Sequence, residues 1–332
     1  FRRVLFRSSY YNAIINWVKQ RYDLVVAKEM INFVPGIVPG IGMAMNCFTQ
    51  KGDKVMIQPP VYHPFAWVTT RNERTLVTNP LKWENGMYRM DLDTFREQIK
   101  GCKLFILCNP HNPGGVVWTE AELRAIADIC YDEKVLVFSD EIHADLTLPP
   151  HTHRPFATVS EKARMNSVTF MSPSKAFNMP GLSASHALIF NEDLRKRFRI
   201  YMDAGELDMG HVFAFLSVEA AYSHGTEWLD QCLAYIQGNI DFVDDFLKNH
   251  APKIKAIRPE ASYLVWLDCR ELKLSQKDLN EFFVDKAHLA LNDGEMFGKE
   301  GIGFMRLNVA SPRCIIEKAM KQLADAYQLY IK

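Results

Sequence analysis

The chain has 332 residues, 48% hydrophobic and 23% charged, and its 39 basic and 39 acidic side chains cancel. That length can bury about three quarters of its unfolded surface and divide into two domains. The charge balance leaves no footprint for nucleic acid or an anionic membrane, and no apolar run approaches the ~20 residues of a membrane span.

The opening Phe1-Arg-Arg-Val-Leu-Phe-Arg-Ser-Ser superficially suits a targeting peptide, without a clear cleavage site, and reads as a truncated or altered beginning. Residues 10–21 then follow a helical pattern. Residues 32–42 hold two prolines and three glycines, and an apolar helical character resumes at 43–48. Lys51-Gly52-Asp53 is a turn before a strand at 54–58. A short helix at 91–99 precedes an almost uninterrupted apolar strand at 103–108. Thr119 caps the next helix, with Glu122 in capping-box register and Leu123, Ile126, Ala127 and Cys130 at helical spacing. Apolar strands follow at 135–138 and 167–171. Strands without polar alternation, separated by helices, predict an α/β fold with a mostly parallel central sheet covered on both faces.

Beyond about residue 230 the texture changes. A long helix at 228–247, strands at 263–267 and 304–309, and a final helix opened by Ser311-Pro312 predict a smaller C-terminal α+β domain. Residues 26–235 then form the large domain and 236–332 the small one, with 1–25 a partial N-terminal segment. The cysteines at 47, 102, 108, 130, 232, 269 and 314 are odd in number and lack a CxxC pair. They read as reduced, mostly buried thiols of a reducing, cytoplasmic compartment.

In an α/β sheet ligands bind beyond the carboxyl ends of the strands. Three polar clusters fall there: Asn109-Pro-His-Asn-Pro113, Asp140-Glu-Ile-His143 and Ser172-Pro-Ser-Lys175. Lys175 between hydroxyls can form a Schiff base beside a bound phosphate, and read alone it equally suits a solvated turn. Asp140 can face a protonated pyridine nitrogen or serve as a loop carboxylate. Asn112 can donate to a ring oxygen or simply make an Asn-Pro turn. Gly36-Ile37-Val38 offers backbone N–H groups to a phosphate without the glycine–lysine pattern of a nucleotide-triphosphate loop. Tyr62 can stack on a planar group or pack. Arg306, a guanidinium inside an apolar strand, needs either a substrate carboxylate or a structural ion pair.

The ordered blocks PGIVPG at 35–40, QPPVYHPF at 58–65, CNPHNPGG at 108–115, FSDEIHADL at 138–146, SPSKAFNMPGL at 172–182 and FMRLNVASPR at 304–313 add to this reading. Over residues 10–330 the chain resembles class I/II aminotransferase-fold enzymes. Within them it resembles the cystathionine β-lyase branch that includes the bacterial maltose-regulon modulators. The resemblance implies fold type I of the pyridoxal 5′-phosphate (PLP) transferases. It makes Lys175 the Schiff-base lysine and general acid/base, and pairs Asp140 with the pyridine nitrogen. Asn112 then contacts the ring phenolic oxygen and Tyr62 stacks on the ring. Ser172, Ser174 and the Ile37 and Val38 backbone hold phosphate, Arg306 holds the α-carboxylate, and His143 supports the ring oxygen. No metal is implied.

The implied activity is a carbon–sulfur β-lyase on L-cystathionine or related cysteine S-conjugates. An aminotransferase and a regulatory or binding protein retaining the fold are the alternatives. The family also implies a homodimer whose active site borders the subunit interface. Its N-terminal arm, which wraps the partner, reads as missing here, and Met209-Gly210-His211 replaces a stretch usually richer in serine and proline.

Overall fold

The structure is a computed structural model in which residues 8–330 are described; the opening residues 1–7 lie outside them. Chain order begins with helix α1 (Ser8–Tyr22), strand β1 (Ile31–Val34), α2 (Ile37–Phe48), β2 (Lys54–Ile57), α3 (Pro64–Arg71) and β3 (Thr75–Thr78). A hairpin, β4 (Lys82–Glu84) and β5 (Met87–Arg89), leads to α4 (Leu92–Gln98), β6 (Cys102–Cys108), α5 (Glu120–Asp132) and β7 (Leu136–Asp140). Then come α6 (Glu161–Met165), β8 (Ser167–Met171), β9 (Ser185–Leu188), α7 (Glu192–Ala204), α8 (Val212–His224) and α9 (Thr226–His250). The C-terminal part comprises β10 (Lys255–Ile257), β11 (Leu264–Asp268), α10 (Gln276–Glu281), β12 (Asn292–Asp293), β13 (Phe304–Asn308) and α11 (Arg313–Tyr330).

Seven strands form the central sheet in the order β1-β9-β8-β7-β6-β2-β3. The run β3-β2-β6-β7-β8 is parallel, and β9 is antiparallel to both its neighbours. Strand β8 is buried at every position and β6 at all but Lys103, as a sheet covered by helices on both faces demands. Four antiparallel strands, β10-β11-β13-β12, make the smaller C-terminal sheet. Helix α11 covers it with Ile316, Met320, Leu323 and Tyr327.

The helical character expected from residue 43 begins earlier. Residues 31–34 pair with β9, and α2 starts at Ile37, with Pro39 in the first turn where its missing N–H costs nothing. The capping box at Thr119 is present: Glu122 N–H donates to Thr119 Oγ1 (3.2 Å), and Thr119 N–H to Glu122 Oε2 (2.8 Å). At the departure Met209-Gly210-His211, His211 does what a serine would do. Its Nδ1 accepts from Ala214 N–H (3.3 Å) and caps α8, while Nε2 meets the Leu182 carbonyl (3.0 Å). Cys102, Cys108, Cys130 and Cys269 are buried, and none of the seven cysteines is paired. Among the described residues no helix is long and apolar enough to cross a membrane.

Helix α1 buries Tyr10, Ile14, Trp17 and Val18 against α8, where Trp17 stacks on Tyr222 at 4.8 Å. Its far end is tied to the loop after β7. Trp17 Nε1–H donates to Asp145 Oδ1 (3.0 Å), and the Tyr22 hydroxyl donates to the same oxygen. Burial raises the Asp145 carboxyl, and these two donors pull it back down. Asp145→Ala leaves both buried donors without an acceptor, which should lower stability by about 2–4 kcal/mol. Urea unfolding checks this, and Asp145→Asn, which keeps one acceptor, should lose less.

Candidate active site

Strand register brings the three polar clusters together. Cys108 lies opposite Asp140, and Asp140 opposite Phe170, so β6, β7 and β8 end side by side. Beyond those ends is a cavity of about 470 Å³. It is lined by Ile37, Val38, Tyr62, Asn112, Asp140, His143, Ser174, Lys175 and Arg306. These come from the start of α2, the loop before α3, three strand ends and the small-sheet strand β13.

Of two adjacent acids after β7, one turns inward and one faces the cavity. Glu141 is consumed by structure: Oε1 accepts the Ser139 hydroxyl and the Phe156 N–H, both at 2.8 Å, and Oε2 meets His153 Nε2 at 2.8 Å. Among the described residues Asp140 accepts only the Ile142 N–H (3.1 Å). Burial pushes its carboxyl from 3.8 up to about 7, with Glu141 adding to the rise and Lys175 opposing it. A carboxylate in that condition calls for a cationic partner from outside the chain.

That shift has a consequence for the protein without any bound group. A carboxyl raised in the folded state favours folding fully below pH 3.8, and the contribution is lost as pH rises through about 7. Asp140→Asn cannot ionise. Its stability should match the parent near pH 4 and exceed it at pH 8, by up to ~4 kcal/mol. Urea unfolding of cofactor-free protein at both pH values checks this; an unchanged difference would remove Asp140 from the role of buried, unpaired acid.

Lys175 follows β8 in a short turn. Its amine is lowered from 10.5 by burial and then by Arg306, with Asp140 partly restoring it. Arg306 makes no ion pair among the described residues. Nη1 donates to Asn112 Oδ1 (2.8 Å), Nη2 to Asn292 Oδ1 (2.7 Å), and the guanidinium lies 4.7 Å from the Phe297 ring centroid. Its Nε is buried without a partner, and burial lowers the group from 12.5 to about 10. The structural ion pair weighed for Arg306 is therefore absent among these residues. Because Arg306 can only donate, Asn112 presents Oδ1 to it and keeps Nδ2 for another acceptor.

His143 is buried with Nδ1 unpartnered, and burial, then Lys175 and Arg306, push it down to about 3, so it is neutral. Ser174 lines the cavity, whereas Ser172 does not. Ser172 Oγ donates to the Ala184 carbonyl (2.7 Å), sits 2.9 Å from Ser174 Oγ and accepts the Ser174 N–H (3.1 Å). Ser172 thereby braces Ser174 and the turn that carries Lys175. At the other wall Gly36 precedes α2 with φ 145°, and Ile37 and Val38, the first residues of that helix, line the cavity.

Sequence reasoning missed Tyr263, His63, Ser183, Ser185 and Asn308, which also line it. Tyr263 precedes β11 and its carbonyl accepts the Val309 N–H (2.9 Å). A polar aromatic beside an apolar strand was its only signal. The donor set fits PLP: an amine for the aldehyde carbon, an unpaired acid for the ring nitrogen, an amide N–H for the ring oxygen. Backbone N–H groups and a hydroxyl are available to the phosphate.

A profile of the aminotransferase class I and II family matches residues 7–323. Cystathionine beta-lyase PatB of Bacillus subtilis is 38% identical over 317 residues, 95% of this chain and 82% of that protein. The crystal structure of cystalysin from Treponema denticola, which contains pyridoxal 5′-phosphate, superposes with a TM-score of 0.95 at 34% identity, covering 98% of this chain and 83% of that one. The PLP-bound C-S lyase of Staphylococcus hominis gives 0.90 at 33% identity, covering 97% and 84%.

Proposed function

Because the chain belongs to the class I and II aminotransferase family, a PLP-dependent group, we propose that it is a carbon–sulfur β-lyase. Its substrates are L-cystathionine or related cysteine S-conjugates, and its products a thiol, pyruvate and ammonia. The observation that carries this reading is the cavity itself, where an ion-pair-free Arg306 stands beside Lys175 and Asp140. A β-lyase is favoured over an aminotransferase by most of the relatives: those named cystathionine β-lyase or C-S lyase stand at 30–38% identity and those named aspartate aminotransferase at 22–24%, while one PLP-bound structure from Clostridium difficile, named as an aminotransferase, stands at 39%.

Bound PLP supplies an electron sink for the negative charge that develops at Cα. The chain does the rest. Arg306 grips the α-carboxylate through its planar fork and directs Cα toward Lys175. Lys175 Nζ, eased toward neutrality by burial, takes the Cα proton. Asp140 holds the ring nitrogen's proton, Asn112 Nδ2 donates to the ring oxygen, and Tyr62 covers the ring. Neutral His143 adds a hydrogen-bonding group without a competing charge. The Ile37 and Val38 N–H groups, Ser172 and Ser174 receive the phosphate, and Ser172 also braces Ser174.

We further propose a homodimer working in the cytoplasm. Met209, Val212, Phe213 and Leu216 form an exposed apolar surface at the start of α8, beside the 180–185 loop that walls the cavity. Sedimentation of active enzyme should give two copies. Incubation with cystathionine should release thiol and pyruvate in equal amounts without any 2-oxo acid acceptor. Activity that requires such an acceptor and frees no thiol would replace the lyase by an aminotransferase.

A further inference from the structure

The cavity does not end at Lys175. A second hollow of about 290 Å³ shares Lys175, Tyr263 and Asn308 with it. Its remaining walls include Leu146, Trp228, Cys232, Tyr235, Ile236 and Pro312, and Lys175 is the one charged residue in its lining. The nearby Arg313 is turned away: its guanidinium donates to Asn239 Oδ1 and the Gly238 carbonyl and lies 4.8 Å from the Phe242 ring centroid. Trp228 stacks on Phe177 at 5.7 Å, which holds its ring as a wall.

Arg306 takes the carboxylate and the start of α2 takes an anion, and neither borders the second hollow. A Cα whose proton meets Lys175 Nζ carries its Cβ substituent one bond away, beside the residues the two hollows share. A direction past His63 leads to walls that carry Glu295, Lys299 and Glu300, and the one past the shared residues leads into the less charged second lobe.

We infer that this lobe is the leaving-group subsite and that it selects cysteine S-conjugates bearing aryl or other apolar substituents over cystathionine. This rests on the lyase reading above. In the balanced reaction one water is consumed, the Cα–H and Cβ–S bonds break, and sulfur leaves with the bonding pair and is protonated. The products are the thiol, pyruvate and ammonium. An aryl group gains apolar contact in the lobe, whereas the distal ammonium and carboxylate of cystathionine meet no opposite charge there.

The test compares kcat/KM of the holoenzyme for S-benzyl-L-cysteine, L-cystathionine and S-methyl-L-cysteine. The benzyl conjugate should exceed cystathionine by roughly tenfold or more. Trp228→Ala should lower the benzyl value about tenfold and leave S-methylcysteine unchanged, which also reports an intact fold. Cys232→Glu, which offers the distal ammonium a partner, should narrow the benzyl-to-cystathionine ratio. Equal values for benzyl and cystathionine, or a Trp228→Ala loss shared by all three substrates, overturns the lobe. Should the enzyme transaminate and free no thiol, the lyase reading fails by itself. Dissociation constants from the bound cofactor's absorbance then decide the lobe: about tenfold weaker benzyl-conjugate binding in Trp228→Ala supports it, and unchanged binding refutes it.

Discussion

Lys175→Ala is expected to reduce turnover more than about 1,000-fold, because one amine both attaches the cofactor and moves the Cα proton. Among the described residues no other lysine lines the cavity. Asp140, Asn112, Tyr62 and the start of α2 are untouched, so the variant should still take up PLP, held without a covalent bond. Borohydride treatment followed by peptide mapping should fix the cofactor to Lys175 in the parent and to no peptide in the variant. Cofactor recovered on another lysine would move the catalytic amine elsewhere. Lys175→Arg should fail comparably: its guanidinium stays protonated and cannot serve as the nucleophile.

The second large effect concerns Arg306. Arg306→Ala admits an ionised α-carboxylate to a half-buried cavity without its partner and should lower kcat/KM roughly 30- to 5,000-fold, as loss of one member of a desolvated charge pair does. Arg306→Lys keeps the charge but loses the planar fork, and with it the simultaneous reach to Asn112 and Asn292. It should lose about tenfold or more, with both KM and kcat affected, since orientation fails along with binding. Cofactor absorbance should persist in both variants, because Arg306 is assigned to substrate. Near-parental efficiency in a folded, cofactor-loaded Arg306→Ala protein would make the residue structural.

Legibility followed the length and purity of local signals. Strands β6, β7 and β8 were readable because burial on both faces demands apolar runs, and α5 because Thr119 and Glu122 spell its start. Strand β9, Ser185-His-Ala-Leu188, was missed: small and polar residues give it no period, and His186 is buried there without a partner, its imidazole pushed down to about 3. Tertiary pairing with β1 and β8 makes it a strand. For the site, residues immediately after apolar strands were visible because the sheet itself dictates where ligands sit. Ser172 and Ser174 look alike in sequence, and the bond from Ser172 to the Ala184 carbonyl is a contact that local pattern does not encode. Tyr263 and Asn308 reach the cavity from the small sheet, a juxtaposition that local pattern does not encode.

The anchoring of α1 on Asp145 also orders events in time. The two hydrogen bonds span 128 and 123 residues, so the segment carrying Asp140 and His143 is held to α1 across long loops. Closure entropy makes contacts of that separation late ones, formed after the local β6-α5-β7 unit has a structure to dock on. Cofactor capture is then a reporter of finished assembly: by mass action PLP draws the population toward chains whose first helix has already found its seat.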